Sequence, residues 1–129
     1  LQQAIAHITL VVDNYDDAID FYVNKLQFDL IEDTQLSPDK RWVLVRPKGN
    51  GTCSLLLAQA SNEQQKHAIG NQTGGRVALF LHTDDFHRDY QNLQEKGVSI
   101  VREAQEHGYG IVAVFEDLYG NQWDLIQRA

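Results

Sequence analysis

The chain has 129 residues, 43% of them hydrophobic, and eleven Lys and Arg against eighteen Asp and Glu leave a formal net charge of −7. That length reads as one domain, 1–129, able to bury about two thirds of its unfolded surface. An acidic chain with scattered bases repels phosphate backbones and argues against nucleic acid, and no apolar run nears the roughly 20 residues that cross a bilayer. The lone cysteine, Cys53, leaves no internal disulfide and fits a cytoplasmic setting; on a strand it reads as an inert small hydrophobe.

Residues 5–12 are apolar and β-branched and predict a strand. Asp13 or Asn14 stands ready to cap the following helix, with Asp16 and Asp17 in its first turn and Ala18, Ile19, Tyr22, Val23 and Leu26 at helical spacing. A strand near Phe28–Glu32, a polar turn at Ser37–Lys40, a strand over Trp42–Arg46 and one over Thr52–Gln59 complete a first module, residues 1–60. Residues 61–74, with Ser, Asn, Gln, Gly and Thr, read as a linker holding at most one helical turn.

The second module, 75–129, repeats the order. A strand over 76–83 leads to a helix over 85–96, which Gly97 stops with a left-handed cap. A strand over 98–102, a loop through His107–Gly108, a strand over 110–116, the turn Asp117–Asn121 and a strand over 122–127 follow. The opening of this module, Arg76–Phe86, imperfectly echoes Ile5–Tyr15 at an interval of 71 residues. The expected fold is α+β: two tandem βαβββ modules forming a curved, cup-shaped mixed sheet around a shared cavity. Four strands with one helix leave a sheet face in need of a partner or ligand, which points to a homodimer around a small-molecule site.

Strand parity sorts the candidate residues. His7 goes with Thr9 and Val11, Ala78 with Phe80 and His82, and Asp124 with Gln122 and Ile126. Asp124 lies inside the apolar run Trp123–Ile126, where a carboxylate is costly without a partner. Either Asp124 joins His7 and His82 around a divalent ion, or it pairs with a nearby Arg or His and His7 is a satisfied core histidine. Arg41 beside Trp42 either grips an anion while the indole packs an apolar body, or is a solvated turn residue next to a core ring. Tyr109, between Gly108 and Gly110, belongs to a mobile rim or to a plain hairpin loop. With Phe80 and Phe115 these rings form the expected apolar lining of a ligand cup. No GxGxxG, Walker, HExxH or CxxC motif is present.

Three stretches, His7–Asp13, Phe21-Tyr22 through Lys25–Phe28, and Phe115–Leu125, resemble the vicinal oxygen chelate superfamily of glyoxalase I, extradiol dioxygenases and bleomycin- and fosfomycin-resistance proteins. The resemblance spans essentially the whole chain and implies paired βαβββ modules, dimerisation and a divalent ion (zinc, nickel, manganese or iron) on the inner sheet face. Of the four ligands of glyoxalase I it puts one on His7 and one on Asp124, an Asp where that enzyme has Glu. The fourth-strand carboxylate would fall among Ser54, Leu56 or Ala58, and the second-module histidine on Ala78, so two ligands are missing. Gln27 stands where the family has Gly, and Leu118 where its turn has Pro. The resemblance therefore implies metal-assisted lyase or isomerase chemistry on a substrate with adjacent oxygens, the ion held by Asp124 with His7 or His82, but not glyoxalase I itself. Its alternative is a non-catalytic protein that sequesters a small molecule, as bleomycin-resistance proteins do.

Overall fold

The computed structural model describes all 129 residues, in two compact units, Leu1–Ile69 and Gly70–Ala129. Each is a four-stranded mixed sheet with a helix between its first and second strands, the βαβββ order expected from the repeat. In the first unit β1 (His7–Val12), β2 (Asp29–Ser37), β3 (Lys40–Arg46) and β4 (Ser54–Gln59) are ordered β1-β4-β3-β2. In the second, β5 (Leu79–His82), β6 (Ser99–His107), β7 (Gly110–Glu116) and β8 (Gln122–Arg128) are ordered β5-β8-β7-β6. The first and last strands of each unit pair in parallel and the other ladders are antiparallel.

The helices explain which sheet face becomes core. Asn14 caps α1 (Tyr15–Ile19), its side chain accepting the Asp17 N–H at 3.0 Å, and Asp85 caps α3 (Phe86–Glu95) through the Arg88 N–H at 3.1 Å. The sheet supplies a second, matching anchor: Gln59 Oε1 accepts the Tyr15 N–H, and Gln127 Oε1 the Phe86 N–H. Leu55 and Leu57 share a side with Gln59, and Trp123 and Leu125 with Gln127, so these residues meet the helices and are buried. Tyr22, Phe86 and Phe115 are among the largest fully buried side chains, each contributing roughly 1.5–3 kcal/mol by leaving water.

Three departures from the sequence reading have local causes. β2 and β6 run through Ser37 and His107 rather than stopping near residues 32 and 102. Their polar, exposed residues look like turn, yet the backbone ladders to β3 and β7 hold them extended. α1 continues as a π-helix over Asp20–Lys25, so Tyr15, Ala18, Phe21 and Tyr22 are its buried residues, while Ile19, Val23 and Leu26 are only half-buried. The segment read as linker holds α2 (Glu63–Ala68), capped by Asn62 and packed on β1, so that its residues up to Ile69 belong to the first unit and those from Gly70 to the second.

Candidate functional site

The sheet face without a helix is built from residues that stand opposite one another in the ladders. In the second unit one row crosses all four strands as Phe80, Asp124, Val114 and Arg102. The row beyond it is His82, Ile126, Val112 and Gln105, and the row before it holds Gln122, Glu116 and Ser99. Val114 and Ile126 form a buried floor, and Phe80 stands 64% exposed beside Asp124. The buried turn before β8 sets where this strand starts: Asp117 Oδ1 accepts the N–H groups of Tyr119 and Asn121, both at 2.9 Å, and Gly120 takes φ +94°.

The Asp124 carboxylate makes no hydrogen bond and no ion pair within 4.0 Å, so it is not half of a buried salt bridge. Burial pushes its carboxyl above the ordinary range, and the Arg102 charge offsets this in part. Sequence reasoning missed Arg102. The signal was its place in β6, but only the β6–β7 register puts it in the row of Asp124.

In the first unit the corresponding row is Thr9, Leu56, Leu44 and Glu32. His7 lies two residues along β1 from Thr9, and Trp42 two residues along β3 from Leu44. Their rings meet edge to face with centroids 6.0 Å apart. His7 is exposed rather than a core histidine, and its ring partner is Trp42.

Other expected residues stand elsewhere. Arg41 points to the helix side of β3, opposite to Trp42. Its guanidinium lies 5.2 Å from the Tyr15 ring centroid and binds Asp16 at 2.8 Å and Asp33 at 2.7 Å. The Arg41 hydrogen bonds hold the Asp33 carboxyl below its ordinary range, and Arg41 is raised by the same two carboxylates. Phe115 is fully buried on the helix side, stacked on Trp123 at 5.8 Å. Tyr109 is exposed at the β6–β7 hairpin and stacks on His107 at 5.1 Å. Cys53 is free and exposed just before β4.

For a divalent ion, the second unit supplies His82 and Asp124 on one face, in adjacent rows, with the Arg102 cation in the row of the carboxylate. The first unit supplies His7, whose ladder partner is Ser54. Within neither unit do three His, Cys, Asp or Glu side chains gather as a ligand set, so the residues of each unit do not fit a metal centre. No helix is long and apolar enough to cross a membrane.

Residues 4–125 match the Glyoxalase/Bleomycin resistance protein/Dioxygenase superfamily. An uncharacterized protein of Shewanella frigidimarina is 64% identical over 98% of this chain and 95% of its own length. A lactoylglutathione lyase of Neisseria meningitidis is 28% identical over 96% of this chain and 90% of its own. The crystal structure of TnmS3, an antibiotic binding protein from Streptomyces sp. CB03234, superposes with a TM-score of 0.79 at 31% identity, covering 99% of this chain and 98% of that one. With the repeated βαβββ order and the match over nearly its whole length, the chain belongs to the glyoxalase/bleomycin resistance protein/dioxygenase superfamily.

Proposed function

We propose that this protein binds a planar, amphipathic small molecule without transforming it, on the helix-free sheet face that each unit carries. The observation that carries the reading is the pairing of ring side chains with apolar floors. His7 and Trp42 meet near Leu44 and Leu56, and Phe80 projects beside Val114 and Ile126. Apolar walls with a few polar groups are what a small-molecule site needs, the apolar area supplying affinity and the polar groups orientation. The likeness to an antibiotic-binding protein supports the same reading. His7 on the first face, and His82 and Asp124 on the second, then act as polar contacts each on its own face rather than as a ligand set for metal-assisted catalysis.

The test combines intrinsic tryptophan fluorescence and calorimetry with a panel of planar aromatic compounds, alongside an assay for lactoylglutathione formation. At least one compound is expected to saturate the protein, and Trp42→Ala is expected to weaken it about tenfold or more. Formation of lactoylglutathione at ordinary enzyme rates by protein carrying stoichiometric metal would sink the reading in favour of an enzyme.

A further inference from the structure

The row through Asp124 has a composition that its counterpart lacks. Thr9, Leu56, Leu44 and Glu32 in the first unit correspond to Phe80, Asp124, Val114 and Arg102 in the second. The module accepts a leucine where Asp124 stands, so the fold does not demand the carboxylate. Half-buried and without a hydrogen-bond donor, it costs stability at that place. Neighbouring strands lie about 4.8 Å apart, so a flat ring laid against exposed Phe80 brings its edge over Asp124, while Arg102 stands two strands away, about 10 Å off. Glu116 and Gln122, in the preceding row, add a second carboxylate and a side-chain amide to the same face.

We infer that Asp124 is a specificity-determining residue that selects planar aromatic ligands carrying a cationic, N–H-bearing nitrogen at the ring edge. This rests on the binding reading above and names the ligand class it admits. The nitrogen supplies the donor that the carboxylate lacks, and the ring, by covering Phe80, excludes water and strengthens the charged hydrogen bond. An anionic ring of the same size meets Asp124 and Glu116 as like charges, and exposed Arg102 offsets them only in part because solvent screens it.

The experiment titrates the intact chain with two fluorescent probes of similar size, 9-aminoacridine, a cation with N–H donors, and 9-anthracenecarboxylate, an anion. It uses the wild type, Asp124→Leu and Asp124→Glu, with thermal melting to confirm that each is folded. The wild type is expected to prefer the cation by about tenfold or more, Asp124→Leu to lose that preference, and Asp124→Glu to keep most of it. Equal binding of both probes by the wild type, or a preference that survives in Asp124→Leu, overturns the assignment of Asp124 and leaves the binding reading standing. A wild-type chain that binds neither probe overturns the assignment too; the binding reading falls as well only if the wider panel also fails.

Discussion

Asp124 and Leu56 occupy one ladder position in two copies of the same module, and the difference between them can be read as a titration. Because burial raises the Asp124 carboxyl above its ordinary value of 3.8, the folded chain holds that proton more tightly than the unfolded one. Its contribution to stability is therefore fully present below that ordinary value and is lost as pH rises through the folded one. Asp124→Asn, which carries no charge, is expected to match the wild type at low pH and to exceed it near neutrality. The gain is under about 1 kcal/mol, since water reaches the half-exposed carboxylate. Urea melts across that pH range check this, and an Asn variant less stable than the wild type near neutrality contradicts it. Asp33 has the opposite sign: held low by Arg41, it contributes stability above the ordinary carboxylate value that is lost as acid protonates it.

At the scale of elements, the two module helices differ by one residue. Asn14 and Asp85, the N-caps, stand 71 positions apart, but Gln27 and Gly97, where the chain turns left-handed after the helix, stand only 70 apart. The π-helix over Asp20–Lys25 absorbs the extra residue, with the Leu26 N–H reaching the Phe21 carbonyl at 3.1 Å. Both exits need positive φ, +62° at Gln27 and +72° at Gly97, and only the second uses the residue without a Cβ. Gln27→Gly is expected to stabilise the chain by up to about 1 kcal/mol. It removes left-handed strain of roughly 1–2 kcal/mol and returns part of that through the freer unfolded chain. The urea midpoint should rise with an unchanged slope, and a fall would show that contacts of the Gln27 side chain outweigh its backbone strain.

For the whole molecule, each unit carries a sheet face that its own helix does not cover, and β2 adds exposed Leu30, Ile31 and Leu36. Apolar surface of this kind is usually matched by a second copy, and an isologous pair is the commonest solution. Light scattering at micromolar concentration is expected to give twice the chain mass of 14.7 kDa. A monomer throughout an accessible concentration series would reject dimerisation and leave those faces to ligand alone.

The repeat, a cap at Asp13 or Asn14, the Gly97 stop and the side of each strand on which His7, Phe80, His82 and Asp124 lie were legible in the sequence, because each depends on the alternation and capping chemistry of neighbouring residues. The same alternation separates Arg41 from Trp42 and puts Phe115 opposite Val114, although adjacency and ring chemistry had grouped them in one ligand cup. The long polar strands β2 and β6 were not legible, since ladder bonds to β3 and β7 rather than burial hold them extended. Nor were the meeting of His7 with Trp42 and the alignment of Arg102 with Asp124. Those depend on register between strands distant in the chain. Periodicity assigns a residue to a face, but only non-local pairing decides what stands beside it there.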